Sequence, residues 1–165
     1  MGGGNGGGPG ITPSDLDRLE NIARDSIRNA QGPVKRRRVF LSFQAEDLDS
    51  VNLFRGQAKN ENSELDFIDF SLRAPFNSEN ADYIKRGIRD RISASSTTIV
   101  LLGKNTHNSE WVDWEIRESL KQNKKVVVVT LVNDSTCKLP NACKEAGLVP
   151  VSWNHEEIKR ALDEP

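Results

Sequence analysis

Residues 98–131 read TIVLLGKNTHNSEWVDWEIRESLKQNKKVVVVTL: an apolar run, a polar loop, a helix-period segment and a second apolar run. Thr98 to Leu102 and Val126 to Leu131 are apolar on both faces, the pattern of central strands covered by helices on either side of a parallel sheet. Between them Ser109 to Asn123 reads as a helix. Ser109 or Asn108 supplies the N-cap, and Val112, Ile116 and Leu120 or Ser119 form the face that docks on the sheet. A helix joining two strands of one sheet implies a parallel crossover.

Outward from this unit the alternation continues. Val39 to Phe43 reads as a buried strand and Glu46 to Lys59 as a polar helix. Leu65 to Phe70 (LDFIDF) alternates and suits a strand nearer an edge. Asn80 to Ser93 is helical, with Tyr83 or Ile84, Ile88 and Ile92 at helical spacing. A weaker strand, Leu148 to Val151, precedes a last helix from His155 to Leu162. The class is α/β, and its simplest right-handed arrangement is a flavodoxin-like, doubly wound parallel sheet of five strands in the order 2-1-3-4-5.

The N-terminal segments do not belong to this alternation. Residues 1–10, MGGGNGGGPG, read as a flexible glycine-rich tail, since nothing in them can offset the entropy of ordering. No strand precedes that tail and no Lys-Ser/Thr follows, so a phosphate loop is not supported. Residues 11–34 hold an amphipathic helix, capped by Thr12, with Leu16, Leu19, Ile22, Ala23 and Ile27 on one stripe. That stripe needs either the following domain or a partner chain to cover it. The main domain takes residues 35–165.

Composition narrows the class further. The 23 basic and 24 acidic side chains leave a net charge of −1, so neither nucleic acid nor an anionic membrane is expected as a partner. No apolar run reaches the length of a membrane span, and the expected location is the cytoplasm. Cys137 and Cys143 stand without a His or Cys cluster beside them, so no metal site is expected.

In the 2-1-3-4-5 order the chain reverses direction between the first and third strands, and ligands bind outside the carboxyl ends of the strands there. The residues so placed are Ser42-Phe43-Gln44-Ala45-Glu46-Asp47 after the first strand and Gly103 to Ser109 after the third. Asp69, Phe70 and Ser71 end the second strand, and residues 72–78 are long enough for a lid. Glu115 lies about 8–9 Å along its helix, which reaches the rim of the crevice. The bland reading is a solvated helix carboxylate. Its neighbours three and four away are Trp111, Val112, Glu118 and Ser119, so no helical ion pair accounts for it. Trp111 is read either as a packing residue or as the wall of a nucleotide pocket. His107 lies in the third loop without a paired nucleophile, and His155 at the start of the last helix reads as structural.

These residues resemble a known family. Arg38-Val39-Phe40-Leu41-Ser42-Phe43 followed by Asp47 is similar to the opening strand and first loop of TIR domains. Ser109-x-Trp111-Val112-x-Trp114-Glu115-Ile116 is similar to the TIR helix bearing a catalytic glutamate. The match is to the bacterial TIR-like family that includes the NAD-consuming component of Thoeris antiphage systems, and it covers about residues 36–131. The sequence departs from it at Trp114, where family members often carry a Cys or a basic residue.

The resemblance implies cleavage of the nicotinamide–ribose bond of NAD, by hydrolysis or by cyclisation, as a source of a nucleotide signal in bacterial antiviral defence. It implies Glu115 as the catalytic residue. Ser42, Phe43, Gln44 and Asp47, with Trp111, Phe70 and Tyr83, are the expected substrate-binding residues. NAD is the substrate and no separate cofactor is implied. Expected partners are further copies of the chain, other TIR-like proteins or effectors. A non-catalytic TIR-like adaptor is the competing function. A phosphoacceptor receiver is not supported, because the third strand ends Leu101-Leu102-Gly103 where an Asp is needed. A flavodoxin is not supported either, because Gln44-Ala45-Glu46 replaces a Ser/Thr-rich phosphate loop.

Overall fold

The computed structural model describes residues 17, 18, 20, 21, 37–59, 67–69, 81–132 and 137–165. The chain divides into two units, residues 1–35 and 36–165. In the first, residues 17, 18, 20 and 21 are helical and exposed. The glycine-rich tail and the stripe of Leu16, Leu19, Ile22, Ala23 and Ile27 lie outside the described residues.

The second unit is a parallel α/β sheet. Its strands are β1 (Arg37–Ser42), β2 (Phe67–Asp69), β3 (Thr97–Leu102), β4 (Lys125–Thr130) and β5 (Val151–Ser152). They lie in the order β2-β1-β3-β4-β5, every pairing parallel. The helices are α1 (Leu48–Ala58), α2 (Ala81–Ala94), α3 (Glu110–Lys121), α4 (Asn141–Glu145) and α5 (His155–Asp163). No helix among the described residues is long and apolar enough to cross a membrane.

The strand period of two sorts the core into layers. Val39, Leu41, Ile99, Leu101, Val127 and Val129 face one way and bury against Val51, Phe54 and Ala58 of α1 and Ile158 and Leu162 of α5. Val100, Leu102 and Val128 face the other way, against Val112 and Ile116 of α3 and Ala142 and Cys143 of α4. Phe40 packs there against Ile88 and Ile92 of α2. Both faces of β3 are therefore buried along its whole length, which is why its sequence shows no alternation.

Two local differences from the sequence reading have clear causes. The segment read as a strand from Leu148 begins only at Val151, because a short helix, α4, precedes it and ends in a left-handed glycine. Gly147 has φ 66°, and Leu148 N–H reaches back to the Cys143 carbonyl at 3.0 Å, closing the helix in the manner of a Schellman cap. Leu148 then packs against the α3–α4 core instead of extending. On α2 it is Ile84 that packs towards the core, while Tyr83 is 77% exposed. One residue of rotation separates the two choices, about 100° on a helix.

Candidate functional site

Glu115 reaches the carboxyl ends of the strands because α3 is held at three levels. Ser109 Oγ caps it, accepting from Val112 N–H at 3.3 Å. Val112 and Ile116 bury against β3 and β4. Ser119 Oγ donates to the Glu115 carbonyl at 2.8 Å and lies 2.8 Å from Thr98 Oγ1 on β3. With the Ser119 proton committed to the carbonyl, Thr98 is the donor of the second bond. The turn carrying Glu115 is thus tied to the strand beneath it.

The Glu115 side chain is only 7% exposed. Ser42, the last residue of β1 and wholly buried, donates its Oγ–H to Glu115 Oε2 at 2.5 Å. Burial pushes the Glu115 carboxyl up to about 8, and the Ser42 hydrogen bond pulls in the opposite direction. Desolvation wins because one neutral donor cannot replace the lost hydration of a carboxylate. Near neutral pH the group is mostly an acid, held where a positive charge would convert it to a carboxylate.

Beside this pair, two 3-10 turns meet across the β1–β3 crevice. The first, Ala45–Asp47, follows β1, and the second, Thr106–Asn108, follows β3. Gly103 N–H donates to Thr106 Oγ1 at 2.8 Å, and Thr106 Oγ1 donates to Asp47 Oδ2 at 3.3 Å. Gly103 is required for closeness: a Cβ there would lie 2.3 Å from either Asp47 carboxylate oxygen. Burial raises the Asp47 carboxyl above its ordinary value, opposed by the Thr106 hydrogen bond. Two buried polar atoms on these turns have no hydrogen-bond partner among the described residues, Gln44 Oε1 and His107 Nδ1.

The expected site residues therefore separate. Ser42 and Glu115 are joined, and Gln44 and Asp47 lie on the first turn of the same crevice. Phe43 follows Ser42 with opposite facing: its ring packs against the core shared with α1 and α5, and the Arg55 guanidinium lies 5.2 Å from its centroid. Trp111 packs against Trp114, edge to face at 6.0 Å, alongside Phe40, Ile88 and Ile92. Lys85 Nζ of α2 lies 5.8 Å and 5.4 Å from the Trp111 and Trp114 rings, and Arg89 caps Trp114 at 5.4 Å. Trp114 thus belongs to the α2–α3 contact. Tyr83 is not brought to Glu115, since its ring points to solvent, and Phe70 lies outside the described residues. His155 opens α5 with Nε2 3.3 Å from Gln57 Oε1. It lines a cleft of about 350 Å³ with Leu53, Gln57, Leu131 and Trp153, none of them an expected site residue.

Thr106, Gly103, Thr98 and Ser119 are absent from the sequence-derived set. Thr106 and Gly103 stood within the loop already placed at the crevice. Their signal was weak, because a Thr and a Gly in a polar loop suit any turn.

Comparison with known proteins identifies the fold independently. The TIR domain of the Toll-related receptor TRR-2 from Hydra magnipapillata matches with a TM-score of 0.50 at 14% identity, over 74% of this chain and 88% of that one. This is a likeness of fold. A putative cyclic ADP-D-ribose synthase, ThsB1, of Bacillus cereus (strain MSX-D12) is 32% identical over 95 residues, 55% of this chain and 50% of that protein. The chain spans about half the length of this curated relative. A family profile described as "Thoeris protein ThsB, TIR-like domain" matches residues 40–136, a span that takes in the second half of β1, β2 to β4, α3 and every crevice residue described above. The chain belongs to the TIR-like domain family of the Thoeris protein ThsB.

Proposed function

We propose that this domain cleaves the nicotinamide–ribose bond of NAD, with Glu115 as its catalytic carboxylate. The carrying observation is the burial of Glu115 at the carboxyl end of β1, held by Ser42 at 2.5 Å. Nicotinamide leaves with the bonding electron pair, which neutralises its ring, and the ribose takes on oxocarbenium character. A carboxylate in a site of low polarity stabilises that charge with little reorganisation, because its position is fixed beforehand. The cationic substrate also lowers the Glu115 pKa as it binds, so the ionised form appears when it is needed.

The name of the Bacillus cereus relative, a putative cyclic ADP-D-ribose synthase, favours capture of the ribose by an atom of the same nucleotide over capture by water. The cyclic product then serves as the signal of an antiviral defence system, formed in the cytoplasm where NAD is available. Assembly with further copies or an effector belongs to the same reading.

Incubating the protein with NAD and separating the products tests this. Glu115→Gln keeps shape and removes charge, and it should lower turnover at least 100-fold, as losses of several kcal/mol do, with melting behaviour preserved. Retention of more than about a tenth of the activity would exclude the assigned role. A non-catalytic adaptor is the second reading, favoured by one observation: the Glu115 carboxyl is nearly inaccessible and already bonded to Ser42. Absence of turnover in the wild-type chain at any concentration selects it.

A further inference from the structure

Two buried polar atoms at the crevice, one on each of its two turns, have no hydrogen-bond partner among the described residues: Gln44 Oε1 and His107 Nδ1. Leaving such an atom unpaired forfeits its hydration without return, so each calls for an explanation. They are placed alike. Gln44 caps the turn after β1, and His107 is the middle residue of the turn after β3. The two turns are fastened together by the Thr106–Asp47 hydrogen bond at 3.3 Å, one residue from His107 and three from Gln44. The same first loop starts from Ser42, which holds Glu115.

The chemistry of the pair calls for a group that both donates and accepts. Gln44 Oε1 only accepts. His107 Nδ1 donates in the tautomer that carries its proton there. A primary carboxamide offers an N–H to the first and a carbonyl oxygen to the second, side by side in one plane.

We propose that Gln44 and His107 read the carboxamide of the nicotinamide leaving group, making His107 a substrate-positioning residue alongside the crevice residues already named. This rests on the NAD-cleaving reading of the same site. Bonds to the carboxamide fix the pyridinium ring, so that the glycosidic bond presents its ribose carbon to Glu115. They also exclude pyridinium nucleotides without an amide. Such discrimination is large where a site is built to hydrogen-bond the missing group, because its own polar atoms are otherwise left unpaired.

The chain has two histidines, so ring-nitrogen NMR of ¹⁵N-histidine-labelled protein gives a direct readout. His155, engaged with Gln57 of α1 in a separate cleft, is the internal control. Free nicotinamide should shift the His107 Nδ1 resonance and leave His155 unchanged. 3-Acetylpyridine, which lacks the amide N–H₂, should bind at least tenfold more weakly. In turnover, His107→Leu should raise KM for NAD about tenfold or more with a smaller change in kcat. It should also abolish the preference for NAD over its acetylpyridine analogue, and His107→Asn, which keeps a donor near Nδ1, should restore part of it. If wild-type protein cleaves NAD while nicotinamide leaves His107 unmoved, or while His107→Leu keeps both KM and the preference, the carboxamide site is overturned and the NAD reading stands. If neither NAD turnover nor any nicotinamide-dependent shift is seen, both fall together.

Discussion

Glu115 differs from an ordinary helix glutamate in what surrounds it: no cation stands at helical spacing, and its one side-chain partner among the described residues is a hydroxyl at the end of a strand. That partner lies 73 positions away in sequence. The sequence therefore marked both residues as facing one crevice without showing that they touch. The bond predicts the behaviour of Ser42→Ala. Removing the hydroxyl removes the interaction that holds the Glu115 pKa down, while the burial that raises it stays. If activity needs the ionised form, kcat/KM should rise with pH, with an inflection near 8 in the wild-type chain. Ser42→Ala should move that inflection alkaline by about one to two units, because a hydrogen bond to a charged group contributes roughly 1.5–3 kcal/mol and 1.36 kcal/mol corresponds to one unit. The kcat profile should show a lower inflection than kcat/KM, since the bound pyridinium favours the carboxylate. An unshifted profile in Ser42→Ala would remove Ser42 from the site's electrostatics.

At the scale of elements, the apolar runs and the cap of α3 were legible because one short stretch of chain sets each of them. Ser109, one of the two caps the sequence offered, caps α3 within three residues of itself, whereas the equally local cap of α5, Asn154 accepting from Glu156 and Glu157 N–H, was not read from the sequence. The helix α4 was not legible. Its five residues, NACKE, are too few for periodicity and too short to be stable alone, and its first turn is fixed from outside, by Asp113 Oδ1 accepting from Ala142 N–H at 2.7 Å. Tyr83 and Ile84 were likewise indistinguishable by spacing, until Phe40 supplied the surface that selects Ile84. The crevice shows the same dependence on tertiary contact. Gly103 in a polar loop carries no special signal, yet the Asp47 carboxylate occupies the space of its missing side chain. Gly103→Ala should destabilise the domain by about 1–3 kcal/mol, the usual range for overpacking, and lower turnover by parting the two turns. In an Asp47→Ala background the same change should cost much less, because the obstructing atoms are gone. Additive losses in that double-mutant cycle, read by denaturant titration, would show that the two residues do not meet.

For the whole molecule, the separation of residues 1–35 from residues 36–165 predicts that deleting residues 1–10 leaves melting unchanged, since that segment carries no packing side chains. The domain's response to pH follows from one group. The folded state holds the Glu115 proton up to about pH 8, whereas an ordinary glutamate releases it near 4.5. Between those values the folded protein binds more protons than the unfolded chain, so stability falls as pH rises. The contribution is fully present below about 4.5 and is lost as pH passes through about 8. At 1.36 kcal/mol per unit its upper bound is about 5 kcal/mol. The Asp47 carboxyl, also raised, acts with the same sign. Glu115→Gln removes the larger contribution without removing bulk. The variant should match the wild-type chain near pH 5, exceed it in stability at pH 8 to 9, and show a flatter profile between. Urea titrations at half-unit intervals from pH 5 to 9 measure this directly. Parallel curves for the two proteins would mean that Glu115 is hydrated in the folded state, and the closed, low-polarity pocket on which the catalytic assignment depends would have to be abandoned.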